Sequence, residues 1–382
     1  HERETGHTMT LLGGNVKTSD FRRSDMLRGE RIPDDLLRVL PKTDLHCHLD
    51  GSLRLETFLE LGRREGLGLP EDSAEARRLF LPASRVNDQQ ELLKYFEHSV
   101  AVLQRPEHLQ RVARELALDA ADVGCWYLEV RFCPLLHAEQ GMSPDETVAA
   151  VQRGLQEAEQ ECRIVTGIII TGLRTISASV SLELAHLAVD WKGRGVVAFD
   201  LAGAEEHYPA KDHREAFYHV INNNMNSTLH AGEGFGPASI HQALHYCGAN
   251  RIGHGTRLLE DPDLLNYVND HRIPLEVCLT SSVQSGVVKD IPDHPLRYYM
   301  NLGLRVTLNT DSTLFVRTNI LEELRRAVRA FDLTLLETEN LLLNGFKSAF
   351  LPEKRKSELI AEALATFSSL RDKHGLDELP VA

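Results

Sequence analysis

His46 and His48 stand one residue apart in Lys42-Thr43-Asp44-Leu45-His46-Cys47-His48. Residues i and i+2 of an extended strand share a face, so both imidazoles can enter one pocket while Cys47 faces the other way. Neutral imidazole is a good zinc ligand, at about 2.0–2.1 Å. On spacing alone the pair has two readings, metal ligands or satisfied core histidines. Three later runs add to it: Thr228-Leu229-His230 leading into Ala231-Gly232-Glu233, Arg251-Ile252-Gly253-His254-Gly255, and Val306-Thr307-Leu308-Asn309-Thr310-Asp311. Together these side chains could build a hydrolytic metal centre with an acid beside it. The bland alternative is a set of structural polar groups at strand ends, which is disfavoured because buried charge is costly unless paired or metal-bound.

For those residues to meet, their strands must end at one place. Short β-branched runs alternate with longer amphipathic stretches, the rhythm of βα units and a parallel sheet. The strands expected are Lys42–His46, Trp126–Arg131, Ile164–Thr171, Val196–Leu201, Ser227–His230, Arg251–His254, Pro274–Cys278 and Arg305–Asn309. Eight is the number that closes a (β/α)8 TIM barrel, whose strand C-termini converge on a single catalytic mouth. Ser143-Pro144-Asp145-Glu146 reads as a capped helix start. Helices are also expected over Pro237–Ala249 and Thr318–Ala330. The stretch Gly51–Leu118 is long for one crossover, so it should hold extra helices inserted after the first strand, part of a lid. The tail Thr334–His374 reads as helix packed outside the barrel. Residues 1–35 are read as an N-terminal extension, His1–Thr10 partly an expression scar, and 36–382 as one domain.

The bulk figures fit this reading. A chain of 382 residues, 42% hydrophobic and 26% charged, is long enough for one large barrel. A net charge of −14 argues against a nucleic-acid partner, whose phosphates need a basic face. The six cysteines include no Cys-x-x-Cys, and read as free thiols of a reducing, cytoplasmic setting. No apolar run approaches the ~20 residues that cross a bilayer, and the N-terminus has no apolar signal core.

Taken in order, Pro41 to Ser52, His230-Ala231-Gly232-Glu233, Gly253-His254-Gly255 and Asn309-Thr310-Asp311 resemble the motif series of the adenosine deaminase family of metal-dependent hydrolases. Glu129 to Pro134, Asp200-Leu201-Ala202-Gly203, Ser281-Ser282 and Asn344 to Leu351 extend the resemblance across roughly Pro41 to Ala365. It implies one Zn2+ held by His46, His48, His230 and Asp311, with a position left for water. It implies hydrolytic deamination of a 6-aminopurine nucleoside, adenosine or 2'-deoxyadenosine, to the 6-oxo product and ammonia. Glu233 matches the proton donor to purine N1, and His254 matches the histidine that orients the water, with a fifth-ligand role as its alternative. Asp311 counts with Glu233 and His254 as catalytic. His48, Asp50, Gly203 and Ser312 are the substrate-facing candidates: Gly203 as bare backbone under the substrate, Asp50 toward the ribose or simply structural.

Two positions depart from the family pattern. Asp311 is followed by Ser312 where a second aspartate, contacting purine N7, is usual, and Ala204 replaces an acid. Glu205 and Glu206 come next, either standing in for that acid or solvated. Both departures lie in the substrate shell, which keeps 6-aminodeoxyfutalosine, adenine and N6-substituted adenine nucleotides open as substrates. A non-deaminating amidohydrolase, releasing a carboxylate, and a silent binding module are the readings of other classes. His137-Ala138-Glu139 fits half of the cytidine-type zinc deaminase signature, but no Pro-Cys-x-x-Cys completes it.

Overall fold

The computed structural model describes residues 27–374 except 71 and 83–88. The segment His1–Thr10 therefore lies outside the described residues. Eight strands, β1 (Lys42–His48), β2 (Cys125–Phe132), β3 (Val165–Leu173), β4 (Val196–Ala202), β5 (Asn226–Ala231), β6 (Arg251–His254), β7 (Leu275–Val277) and β8 (Val306–Leu308), run parallel in chain order. Cys47 pairs with Asp311, and His48 N–H donates to Asp311 O at 2.7 Å, which joins β8 back to β1. This is the expected TIM barrel, with each expected run forming its strand. The strands are buried on both faces, as parallel sheets covered by helices require.

Ser143 forms the full capping box with Glu146 and starts the helix Pro144–Glu161. The other expected helices are Pro237–His245 and Ile320–Ala330, the latter capped by Asn319. After β1 come Leu55–Arg64, Ser73–Phe80, Gln89–Val102 and Pro106–Asp122. The last packs on Pro144–Glu161 and β2 as a barrel helix. Gln89–Val102 instead brings Phe96 to the mouth, its ring centroid 6.1 Å from that of His48.

The tail Thr334–His374 is helical and packs outside the barrel as expected, except at the turn between its two helices. Leu335–Ser348 covers β8 and β1 directly, and only Glu353–Lys373 lies further out against it. Between them Ala349 packs on Leu45 and Tyr127, and Phe350 on Ile169 and Ala198. The reason is a polar network inside the barrel that the turn completes. Phe350 N–H donates to Glu129 at 2.8 Å, Ser348 O accepts from Arg251 at 2.8 Å, and the Arg251 guanidinium lies 3.6 Å from the Phe350 ring centroid.

The line drawn at residue 35 falls inside the helix Asp34–Val39. Residues ahead of it pack onto the barrel: Gly29 N–H donates to Leu333 O, and Arg329 pairs with Glu30 and Asp34. Among the described residues no helix is long and apolar enough to cross a membrane.

Candidate active site

β1 delivers His46 and His48 to the same side, as period-two alternation demands, while Cys47 turns outward to Ser52. His230 arrives from β5, His254 from the end of β6, and Asp311 just past β8. His46, His48 and His230 offer nitrogens within 4.8 Å of one another, and a second such group is His46, Cys278 and Asp311. His48 Nε2 lies 3.0 Å from His230 Nε2 and 3.7 Å from Asp311 Oδ1. Ligand atoms of a tetrahedral zinc sit roughly 3.3 Å apart, so the spacing suits one shared ion.

Protonation states point the same way. His46 Nδ1 is 2.8 Å from Glu276 Oε2. Burial would raise the Glu276 pKa, but Arg131 and Arg251 beside it hold it down to about 2. An ionised carboxylate can only accept, so His46 Nδ1 carries the hydrogen and its Nε2 presents a lone pair. That Nε2 is buried and has no hydrogen-bond partner among the described residues. His230 repeats the arrangement: its Nδ1 is 3.1 Å from Asp200 Oδ1, and His230 and Arg131 hold Asp200 at about 2 against the effect of burial. Burial lowers His46 well below its ordinary pKa and His48 to about 4, which keeps both neutral and able to ligate. Arg131 bridges Asp200 (3.1 Å) and Glu276 (2.8 Å), so one cation braces both histidine supports. Cys278 is a poorer donor than Asp311, because burial and the Asp311 charge raise its thiol pKa well above the ordinary value.

Opposite the imidazoles lies Glu233, 5% exposed, with Oε2 3.6 Å from His254 Nε2 and Oε1 accepting from Ser285 Oγ at 3.0 Å. Burial raises its pKa, favouring the protonated acid. His254 Nε2 is also 4.0 Å from Asp311 Oδ2. His254 and Asp311 both adopt left-handed backbone, at φ 63° and 66°. Non-glycine residues rarely do so, and such conformations cluster at functional sites.

The residues expected to face substrate have fewer partners. Gly203, at φ 99°, has among the described residues beyond its chain neighbours only the Arg174 main-chain nitrogen within 4 Å of where a Cβ would stand, so it offers open backbone. Asp50 is buried, and its Oδ2 lies 3.5 Å from His137 Nε2. Asp50 Oδ1 and both His137 ring nitrogens lack hydrogen-bond partners among the described residues. Ser312 donates its hydroxyl hydrogen to Asp311 Oδ1 at 3.1 Å, while Asp311 Oδ2 accepts from Ser281 at 2.6 Å. In this arrangement that Ser312 hydrogen is not available to a purine nitrogen. A Cβ on Gly51 would lie 2.4 Å from Ser312 Oγ, so this corner is tight.

Residues 41–366 match the family model described as adenosine deaminase. The chain belongs to the adenosine deaminase family. Adenosine deaminase of Mycobacterium avium is 41% identical over 350 residues, spanning 86% of this chain and 95% of that protein. Adenosine deaminase 1 of Streptomyces coelicolor is 40% identical over 348 residues, spanning 86% and 87%. Among solved structures, adenine deaminase of Arthrobacter aurescens aligns at TM-score 0.80 and 26% identity, covering 86% of this chain and all of that one. The N6-mAMP deaminase of Arabidopsis aligns at 0.78 and 26%, covering 88% and 99%. The chain is therefore a metal-dependent hydrolase of C–N bonds in cyclic amidines acting on a small purine.

The structure brings His46, His48, His230, Glu233, His254 and Asp311 into one cluster, with Asp50 beside His137 at its edge. Sequence reasoning overlooked several contributors, among them Glu276 and His137. Glu276, a lone charge in the apolar run Leu275-Glu276-Val277, was a visible signal. His137 fits half of an unrelated motif, and nothing local marks it as a neighbour of Asp50.

Proposed function

We propose that this chain deaminates adenosine and 2'-deoxyadenosine to inosine and 2'-deoxyinosine with release of ammonia, using one zinc ion held by His46, His48, His230 and Asp311. The observation that carries this reading is the pairing of three inward imidazoles and Asp311 with a buried Glu233 whose pKa burial raises. A bound zinc would supply Lewis acidity that makes water nucleophilic near neutral pH.

Addition of water at C6 pushes electron density onto ring N1, and Glu233 would hold its proton there and release it as that charge develops. His254, 3.6 Å from Glu233 and 4.0 Å from Asp311, would accept a hydrogen bond from the attacking water and fix its approach. Gly203 would lie against the purine, and Asp50 with His137 would meet the sugar hydroxyls. His48 would also face the substrate, with the Phe96 ring 6.1 Å from its own. Ser312 would act on the purine through Asp311 or through a bridging water. Residues 36–382 would form one catalytic domain, and the cysteines, free wherever described, fit a cytoplasmic setting.

A panel of adenosine, 2'-deoxyadenosine, adenine, 6-aminodeoxyfutalosine and N6-methyl-AMP, scored by ammonia or methylamine release, tests the assignment. Highest kcat/KM on adenosine is the expected result. Turnover confined to free adenine or the nucleotide would reassign the substrate.

A further inference from the structure

Glu205 lies two residues beyond Gly203 in the loop after β4, and only 3% of it is exposed. Its Oε1 accepts from the main-chain N–H of Glu233 at 2.9 Å and of Gly234 at 2.8 Å, and its Oε2 accepts from that of Gly232 at 3.0 Å. Gly232 has φ 74°, and turns of this kind converge successive N–H groups into an anion-binding nest. Here the anion comes from the protein itself. Arg174 ties the same two loops together, donating to Tyr208 O at 2.7 Å, His230 O at 2.8 Å and Ser239 Oγ at 3.1 Å. Glu206, the next residue, is exposed.

We infer that Glu205 is a positioning residue for Glu233: by filling the nest, it locks the backbone that carries the acid to the loop that carries Gly203. This rests on the reading of Glu233 as the proton donor. Three convergent N–H donors left open beside a carboxylic acid would attract that carboxyl group and turn it from the substrate. With Glu205 in the nest, the Glu233 side chain stays aimed at the cluster, and Gly203 and Glu233 move as one unit. The wall that receives the purine and the acid that protonates it thereby keep a fixed separation. The Ala204 departure is compatible with this, since the inward acid of the loop is the following residue.

The test is a double-mutant cycle with hydrogen exchange. Glu205→Gln places an amide N–H2 against a main-chain donor. It should lower kcat about 10- to 100-fold, the scale of an ångström-level misplacement, with KM and metal content little changed and the melting temperature lowered by the buried donor left unpaired. Added to Glu233→Gln, it should lower kcat no further, because the group it positions is already gone. Amide exchange should accelerate at residues 232–234 and not elsewhere in the barrel. Glu205→Asp, which keeps the charge, should recover part of the loss, and it carries the same measurements if the glutamine variant does not fold. Multiplying losses in the double mutant, or unchanged exchange at 232–234, would overturn the inference while leaving Glu233 as the acid. Full activity of Glu233→Gln alone would remove the acid reading and this inference with it, and faster exchange in Glu205→Gln would then report a structural clamp only.

Discussion

The metal-binding cluster and the residues proposed to face substrate are built differently. On the metal side His46 and His230 each donate to a buried carboxylate, and Arg131 joins the two carboxylates. On the substrate side Asp50 Oδ1 and both His137 ring nitrogens have no hydrogen-bond partner among the described residues, and Gly203 faces open space, although Glu205 and Arg174 fix the backbone of its loop. A ligand set must hold one geometry for one ion, so it is braced in advance. A substrate wall must leave its hydrogen bonds for the substrate. Of the two departures from the family pattern, Ala204 lies beside Gly203 on the substrate side, and Ser312 touches both sides through its hydrogen bond to Asp311. Changes on the braced side should therefore cost chemistry or metal, and changes on the other side should move substrate binding.

The largest effect expected is at the acid. Glu233→Gln should keep its metal and lose about 10²–10⁴-fold in kcat, the range of general acid catalysis, measured by ammonia release and metal analysis of the same sample. Retained activity would remove Glu233 from that role. Next, Glu276→Gln should weaken metal affinity about 10- to 100-fold, as loss of a carboxylate behind a ligand does. Competition with a chelator measures it, and unchanged affinity would show the braced side to be no different from the other.

Acid provides a third probe. With His48 at about 4 in the fold and ordinary near 6.5 in the unfolded chain, the unfolded state binds the extra proton between those values. Stability of the metal-free protein should thus fall as pH drops through that window, by an order of ~1 kcal/mol per unit for each such histidine. Melting curves at stepped pH would show it, and a flat profile would contradict a neutral, buried His48. The smallest effect belongs to Ser312→Ala. Losing its bond to Asp311 should cost only ~1 kcal/mol, a few-fold in kcat/KM, with metal retained. Metal loss in that variant would place Ser312 on the braced side.

Much of the frame was legible in the chain because its signals are local. β3 and β4 read as mostly apolar runs, as parallel strands buried on both faces do, and period-two alternation puts His46 and His48 on one side of β1. Barrel geometry then brings His230, His254 and Asp311 to the same mouth. What escaped detection depends on long-range contact. Glu276 reaches His46 across 230 positions of sequence, and Glu205 reaches Gly232 across 27. The tail read as an outer helix because charge fills Glu353–Lys373, while the two residues that enter the barrel, Ala349 and Phe350, form no periodic pattern.

The most direct measurement is zinc stoichiometry and adenosine turnover on one preparation, before chelation, after chelation and after zinc is restored. One zinc per chain, ammonia released in step with inosine, loss of both on chelation and recovery of both on zinc addition is the result this account predicts. Turnover of adenosine unaffected by removal of the metal, or a stoichiometric zinc protein that releases no ammonia from adenosine, would contradict it.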